Sequence, residues 1–286
     1  MDFEHLRVVA EEAARMAGSF LRMMSFSDLK IFRKGLRGED VFTTFDLESE
    51  RLITNHILMH FPDHAIYAEE SQRDSESNGF TSIGDKIVWF IDPLDGTKAF
   101  LRGNFAFVCM SIAAWDRNGL LAGVVYNPFT DMMYSTCRSG DVWLNGSSIP
   151  PPGTCSISEA RILVDFSARL PFPLKQTLAV ADLVGSIGRS YRLGGGISQH
   201  LMLVAQGTLH GGVFWGIGRK GKFWDIAAAA LILDQLGLRF TNLEGKTLHP
   251  TDTVFDQLVV AAPDLHEELL AWVSELKPLS GPKKLH

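Results

Sequence analysis

A short apolar run that ends directly in two aspartates constrains this chain more than any other feature. Residues 88–97 read Val-Trp-Phe-Ile-Asp-Pro-Leu-Asp-Gly-Thr. An apolar run of this length, bounded by turn residues, predicts a buried strand. Asp92 then lies at the carboxyl end of that strand, where layered α/β folds gather their ligands. Proline fixes φ and forces a turn, which can bring Asp92 and Asp95 to one side.

The residues around these aspartates suit both an anion and a hard cation. Gly96 lets the backbone approach a ligand closely, and the amides that follow it can point at an anion. Carboxylates together with water are the oxygen ligands that Mg²⁺ prefers. The Asp-Pro-x-Asp-Gly pattern is also favourable turn chemistry without any ligand, so this segment alone leaves both interpretations open.

Two further acidic segments could add carboxylates to the same site. Glu69 and Glu70 follow Ala65–Tyr67, an apolar stretch typical of a strand end. Asp225 opens an apolar stretch with four consecutive alanines, which predicts a helix over residues 225–236. Each segment also has a structural explanation, because an acidic pair in a loop is commonly solvated and an aspartate at a helix start is commonly a cap.

Apolar patterns predict helices at the N-terminus and a sheet in the middle of the chain. Spacings of three and four predict an amphipathic helix over residues 2–24 with Asp2 as its cap, and a second helix from about Leu47 to His60. We expect a polar loop between them. Strand-like runs in antiparallel order follow at residues 87–91, 106–114, 121–125 and 132–136, with a hairpin turn at 144–147.

The Pro-rich segment Pro150–Gly153 is the best internal boundary. It divides the chain into an N-terminal half, residues 1–150, and a C-terminal half, residues 151–286, which we expect to form one compact catalytic unit. The C-terminal half predicts strands at residues 161–164, 209–214, 238–241 and 258–261, and helices at 174–183, 199–206, 225–236 and 263–276.

Composition narrows the class of protein. Lys and Arg total 27 against 33 Asp and Glu, and the net charge of −6 disfavours a dedicated nucleic-acid binder. No apolar run approaches the roughly 18 residues of a membrane span, and the acidic N-terminus lacks the basic start of a signal peptide. Three scattered cysteines predict neither a disulfide framework nor a zinc site. We therefore expect a cytoplasmic protein that binds a small molecule, with no nucleic-acid polymer and no membrane as partner.

Together the three acidic segments resemble the inositol monophosphatase-like family of Mg²⁺-dependent, lithium-sensitive phosphatases. The family pattern is a Glu-Glu pair, then Asp-Pro-Ile/Leu-Asp-Gly-Thr, then a Trp-Asp pair that opens a helix far downstream. All three occur here in that order, and the resemblance spans roughly residues 5–265. It implies an α/β fold, the layered αβαβα sandwich with two sheets, and usually a homodimer. It also implies a phosphoric monoester hydrolase with Mg²⁺ as cofactor and a small phosphorylated metabolite as substrate.

The resemblance also implies roles for individual residues. The family's metal ligands are carboxylates and one backbone carbonyl. They match Glu69, Asp92, Asp95, Asp225 and the carbonyl of Leu94. The resemblance also implies a catalytic role for Glu69. Thr97 and its carboxylate partner Asp46, which stands just before the second predicted helix, match the pair that orients the attacking water. The amides of Gly96 and Thr97 match the phosphate cradle. Gly195 and Gly196 align with the family's substrate loop.

General chemistry, apart from the resemblance, also supports a cation site formed by these carboxylates. Four carboxylates at close range repel one another by several kcal/mol unless cations neutralise them. A bound cation can lower the pKa of water to about 7, and a second can stabilise the leaving alkoxide. Phosphoryl transfer needs mostly positioning and charge stabilisation, so we expect in-line attack by water and no phospho-enzyme.

The sequence says less about which phosphate ester is hydrolysed. The inositol enzymes carry a glutamate shortly before Trp-Asp that binds ring hydroxyls, whereas residues 213–222 here contain no acid, two aromatic residues and three cations. Trp215 could stack on a purine, and Arg219, Lys220 or Lys222 could meet a second phosphate. The segment could equally be a solvent-exposed basic loop beside packed aromatic residues.

Three functions therefore stay open. The first is a phosphatase for a small polyol or sugar phosphate resembling inositol-1-phosphate. The second is a 3′(2′),5′-bisphosphate nucleotidase, or a relative of fructose-1,6-bisphosphatase or histidinol phosphatase. The third is a non-catalytic regulatory binder that keeps the fold, which the intact carboxylate set disfavours because retaining bare charges destabilises a protein.

Overall fold

A computed structural model of the chain describes residues 2–34, 40–72, 84–166, 187–215, 222–250, 255 and 257–275. Within these ranges it contains seven α-helices and fourteen strands. The helices are α1 Phe3–Met23, α2 Thr44–His60, α3 Glu69–Gln72, α4 Thr97–Phe100, α5 Ile197–Ala205, α6 Ala227–Gln235 and α7 Pro263–Glu275. Short 3₁₀ turns lie at Phe26–Asp28, Phe105–Phe107 and Phe223–Asp225.

The larger sheet comes from the middle of the chain. Its strands follow one another in sequence order, with β3 and β4 parallel and every later pair antiparallel. They are β3 Ala65–Ala68, β4 Val88–Asp95, β5 Cys109–Asp116, β6 Gly119–Asn127, β7 Met132–Cys137, β8 Trp143–Leu144 and β9 Ser147–Ser148. The hairpin predicted at residues 144–147 is confirmed, since Asn145 and Gly146 both have positive φ, as a tight β8–β9 turn requires.

The smaller sheet comes from the C-terminal half. Its strand order is β11-β10-β12-β14-β13. Strand β10 pairs parallel with β11 and β12, and strand β14 pairs antiparallel with β12 and β13. The strands are β10 Arg161–Phe166, β11 Arg189–Tyr191, β12 Gly211–Trp215, β13 Arg239–Thr241 and β14 Gln257–Ala261. The boundary predicted at Pro150–Gly153 falls between the two sheets, and the single compact catalytic unit stays a prediction.

Three buried apolar clusters define the layers. The first joins α1 and α2 to one face of the larger sheet. The second fills the space between the two sheets around α5 and α6. The third packs α7 on the outer face of the smaller sheet. The order helix, sheet, helix, sheet, helix confirms the predicted αβαβα sandwich.

Two helices begin at residues other than those predicted, and local hydrogen bonding explains both differences. Thr43 and Asp46 form a capping box, in which the Thr43 amide donates to Asp46 Oδ2 at 2.8 Å, so α2 begins at Thr44 rather than at Leu47. Asp46 therefore lies in the first turn of α2 and not before it. The helix predicted from Asp225 begins instead at Ala227, because Asp225 ends a separate 3₁₀ turn.

The region predicted as a polar loop between the first two helices contains a small antiparallel pair, β1 Ile31–Lys34 and β2 Asp40–Thr43. The helix predicted over residues 174–183 lies outside the described residues. Among the helices that are described, none combines the length and the apolar character needed to cross a bilayer.

Candidate active site

The two aspartates of the first motif lie at an irregular end of β4. Asp92 pairs with Ser111 of β5, but Asp95 pairs with Cys109, so one extra residue is inserted on β4. The Leu94 amide turns back and donates to Asp92 Oδ1 at 3.0 Å. A bulge of this kind bends the strand and redirects its side chains, which lets the Asp92 and Asp95 carboxylates lie on one side although the ladder resumes at Asp95.

Four carboxylates from three segments converge at this edge. Glu69 begins α3 directly after β3, which pairs parallel with β4, so it lies beside the carboxyl end of β4. Asp92 is 2% exposed. Burial, followed by the negative charges of Glu69, Asp95 and Asp225, raises the pKa of Asp92 well above its usual range. These charges act on Asp92 because their residues lie near it. The parallel β3–β4 pair carries Glu69, and Ser198 contacts both Asp95 and the Asp225 carbonyl.

Asp95 is placed by the start of α5. The Ser198 amide donates to Asp95 Oδ2 at 2.8 Å. Burial outweighs this hydrogen bond and raises the pKa of Asp95 to about 7. The contact requires glycine at position 196, because a Cβ there would lie 2.6 Å from Cγ and Oδ2 of Asp95.

Gly195 and Gly196 pack against the Asp-Gly-Thr turn. Gly96 and Gly195 have φ of 93° and 123°, a backbone region that favours glycine. A Cβ on Gly195 would lie 2.5 Å from the Phe107 carbonyl oxygen, and the Gly196 amide donates to that oxygen at 2.9 Å. These glycines bring α5 to the carboxylates, and their contact with substrate stays a prediction.

Thr97 and Asp46 are hydrogen-bonded to each other, although 51 residues separate them. Thr97 Oγ1 lies 3.0 Å from Asp46 Oδ1 and 3.2 Å from the Leu94 carbonyl oxygen. Asp46 is 1% exposed. Burial raises its pKa, while hydrogen bonds from Thr43 and Thr97 act in the opposite direction. A threonine that donates to Asp46 keeps its oxygen lone pairs for a water molecule.

Two buried serines that sequence reasoning missed hold the turn containing Asp225. Ser111 Oγ donates to the carbonyl that precedes Asp225 at 3.0 Å, and Ser198 Oγ donates to the Asp225 carbonyl at 2.6 Å. Ser198 therefore contacts Asp95 through its amide and Asp225 through its hydroxyl. A hydroxyl inside a strand gives no pattern that distinguishes it from another small residue, so no sequence signal pointed to Ser111. The resemblance of residues 194–198 to the family's substrate loop includes Ser198 but does not indicate its contacts.

Glu50 is a further residue that sequence reasoning missed. It lies one turn after Asp46 on α2 and is 5% exposed. Its two oxygens accept the amides of Glu70 at 2.7 Å and Ser71 at 2.9 Å, and the Ser71 hydroxyl also donates to it. These amides follow Glu69, so Glu50 fixes the element that carries Glu69. The spacing of four between Asp46 and Glu50, which places them on one helix face, was the available signal.

Trp215 does not lie among the carboxylates. It ends β12 and is 8% exposed, within the cluster that α7 covers. Its ring centroid lies 6.2 Å from that of Trp272 on α7. An indole held in this core does not offer a free face to a purine, so the geometry gives no support to the predicted stacking role.

The basic residues beyond β12 are only partly described. Arg219 and Lys220 lie outside the described residues. The Lys222 amide donates to Asp225 Oδ2 at 2.9 Å, and its ammonium group lies 5.8 Å from the centroid of the Trp224 ring. Lys222 thus helps to shape the Asp225 turn.

The donor set fits a hard divalent cation. The four converging carboxylates and the Leu94 carbonyl are oxygen donors of the kind that Mg²⁺ selects. Cys109 Sγ lies 3.9 Å from Asp95 Oδ2, but burial raises the pKa of this thiol well above its usual range. A thiol is a soft donor that Mg²⁺ does not select, so the hard donors of this site are its carboxylates and the Leu94 carbonyl.

Comparison with known proteins shows the family of this chain. The model that describes the inositol monophosphatase family matches residues 2–277. This chain belongs to the inositol monophosphatase family. Inositol monophosphatase 2 of Solanum lycopersicum is 32% identical to it over 266 residues, 90% of this chain and 93% of that protein. A fructose-1,6-bisphosphatase/inositol-1-monophosphatase of Aquifex aeolicus (strain VF5) is 29% identical over 255 residues, 88% of this chain and 91% of that protein.

The chain also has the fold of solved inositol monophosphatase structures. The crystal structure of staphylococcal inositol monophosphatase-1, an inhibitory complex soaked in 100 mM LiCl, matches with a TM-score of 0.78 and 20% sequence identity over 95% of this chain and 96% of that one. The chain is thus an inositol monophosphatase-family phosphatase, a phosphoric monoester hydrolase. The resemblance inferred from its three acidic segments is confirmed.

Proposed function

We propose that this enzyme hydrolyses the phosphate ester of a small phosphorylated polyol or sugar, of the kind represented by inositol-1-phosphate, with Mg²⁺ as its cofactor. The observation that carries the proposal is the convergence of four carboxylates, whose mutual repulsion helps to raise the pKa of Asp92. Bare charges at this density destabilise a folded protein, and divalent cations remove that cost while creating a site for a phosphate.

The chain's own residues suggest how the cations would be held. Glu69, Asp92, Asp95 and Asp225 would bind them, together with the Leu94 carbonyl. When bound, such cations supply Lewis acidity toward the phosphoryl group and acidify a water molecule that acts as the nucleophile.

The attacking water would be oriented by Thr97 and Asp46. The Thr97 hydroxyl donates to Asp46 over 3.0 Å, and Asp46 is fixed in turn by Thr43 at the start of α2. This chain of hydrogen bonds sets the direction of the free lone pairs on the Thr97 oxygen. A water bound there meets the phosphorus in one orientation, which is the kind of positioning that phosphoryl transfer needs.

The phosphate would rest on the Asp-Gly-Thr turn. In α4 the amides of Ala99 and Phe100 donate to the Gly96 carbonyl at 2.7 Å and 3.0 Å. Gly96 and Thr97 stand at the N-terminal start of α4. The first amides of a helical turn have no acceptor within the helix itself. The amides of Gly96 and Thr97 are suited to the equatorial oxygens of a phosphate.

A sugar bisphosphate is the second candidate substrate. The Aquifex aeolicus relative carries both the fructose-1,6-bisphosphatase and the inositol-1-monophosphatase name, which supports it. A nucleotide bisphosphate is less well supported, because Trp215 packs against α7. A cytoplasmic location and a homodimer remain predictions from the sequence.

Phosphate release from a substrate panel tests the proposal. We expect inositol-1-phosphate to be hydrolysed with Mg²⁺ and not with EDTA. Asp92→Asn should abolish turnover, whereas Asp141→Asn, a change at an exposed aspartate, should leave it unchanged. Preferred hydrolysis of fructose-1,6-bisphosphate would favour the second candidate. Turnover in EDTA, or hydrolysis of adenosine 3′,5′-bisphosphate alone, would contradict the proposal.

A further inference from the structure

A second cluster of metal-ligating side chains lies on the α1–α2 face. His56 and His60 are one turn apart on α2, and Glu12 faces them from α1. One ligand atom from each of the three lies within 4.8 Å of the other two. His56 Nε2 is 3.1 Å from Glu12 Oε2, and the two imidazole centroids are 4.8 Å apart.

Helix geometry produces this convergence. Residues four apart project from the same side of a helix, so both imidazoles of α2 face one direction. Helix α1 packs against α2 through buried residues such as Ala13 and Ile57, and this contact brings Glu12 opposite the imidazoles. The His56 side chain is 14% exposed and that of Glu12 is 54% exposed, so the cluster is held on one side and reachable from solvent on the other.

We propose that Glu12, His56 and His60 form a second cation site, selective for a borderline transition-metal dication such as Zn²⁺. Two imidazoles and one carboxylate are a donor set that Zn²⁺ accepts, whereas Mg²⁺ selects oxygen donors alone. Bonds of about 2.0–2.2 Å in a tetrahedral site separate ligand atoms by roughly 3.4 Å. The present separations, which run from 3.1 Å to no more than 4.8 Å, lie around that value. Rotation of the exposed His60 and Glu12 side chains would adjust them to it, with the fourth position left to water.

This site is separate from the carboxylate centre. Ten residues of α2 separate His56 from Asp46, which corresponds to about 15 Å of helix. A cation on the three ligands would join α1 to α2, the helix that also carries Asp46 and Glu50. Because the assembled site exists only in the folded chain, the cation should raise the unfolding temperature, and the rise should increase with the logarithm of the free cation concentration above its Kd.

Calorimetric titration of the tag-free enzyme with Zn²⁺, in excess Mg²⁺ so that the carboxylate centre is occupied, tests the proposal. We expect one Zn²⁺ per chain and a rise in the unfolding temperature. His56→Ala and His60→Ala should each weaken binding by more than about tenfold, the loss that removal of even an outer partner of a metal ligand causes. His249→Ala, at an exposed histidine elsewhere, should bind Zn²⁺ like the wild type.

Two controls make the result decisive. Asp92→Asn should retain the Zn²⁺ site, because it changes only the carboxylate centre. Replacement of Zn²⁺ by Co²⁺ should give visible absorption bands of a nitrogen–oxygen site that His60→Ala removes. Unchanged Zn²⁺ affinity in both histidine variants, or Zn²⁺ binding that disappears in excess Mg²⁺ or in Asp92→Asn, would overturn the proposal.

Discussion

Removal of divalent cations should make the enzyme less stable as pH rises, because Asp95 must then carry an uncompensated charge inside the fold. Burial raises the pKa of Asp95 from its ordinary 3.8 to about 7. Between these two values the folded chain holds a proton that the unfolded chain has released. The free energy of unfolding therefore falls as pH increases through this window, and the full loss is reached above the folded pKa.

The size of the effect follows from the shift. About three pKa units correspond to roughly 4 kcal/mol at about 1.36 kcal/mol per unit. Asp95 is only half-buried by accessible surface, so water screens part of the charge and we expect about 2–4 kcal/mol. Asp92 is almost fully buried, and its pKa is raised as well, so it acts in the same direction.

Urea unfolding in EDTA at about pH 5 and about pH 8 measures this loss. Asp95→Asn removes the titrating group and keeps an oxygen for the Ser198 amide. The interval from about pH 5 to the folded pKa of about 7 covers roughly two of the three pKa units, so wild type should lose about 1–2.5 kcal/mol more than Asp95→Asn between the two pH values. Saturating Mg²⁺ should shrink that difference. Asp141→Asn should behave as the wild type. Parallel pH profiles for wild type and Asp95→Asn in EDTA would refute the argument.

Three further predictions concern turnover. Thr97→Ala combined with Asp46→Asn should lower kcat little more than either change alone, since the two side chains share one hydrogen bond; additive losses in steady-state kinetics would show that they act separately. Glu50→Gln should raise the Mg²⁺ concentration for half-maximal activity by about tenfold, because it weakens the support of Glu69, whereas Glu48→Gln on the same helix should not; equal Mg²⁺ requirements would argue against the role of Glu50. Lithium should inhibit at millimolar concentrations at fixed Mg²⁺, and inhibition no greater than that by sodium would count against a lithium-sensitive centre.

Local patterns alone left each acidic segment open to a structural explanation, and the carboxylate set followed from the family resemblance that the three segments carry together. Asp92 and Asp95 end an apolar strand, and Glu69 follows another. Their proximity depends on the parallel pairing of β3 with β4, which no local pattern encodes. The bulge that turns Asp95 toward Asp92 is likewise a property of the pairing with β5.

The supporting contacts were harder to predict. Ser111, Ser198 and Glu50 act on residues distant in sequence, so their importance arises only when the layers assemble. Trp215 shows the same limit. Successive residues of a strand point to opposite faces, and only the packing of α7 on β12 determines that its indole enters the outer core.

Direct Mg²⁺ binding to single variants from each of the three segments tests the central claim, that distant acids form one cation centre. Calorimetric titration of Glu69→Gln, Asp92→Asn and Asp225→Asn should show affinity at least about tenfold weaker than that of the wild type in every case. Asp141→Asn should bind Mg²⁺ as the wild type does. Wild-type Mg²⁺ affinity in any one of the three would contradict a single centre built from all of these carboxylates.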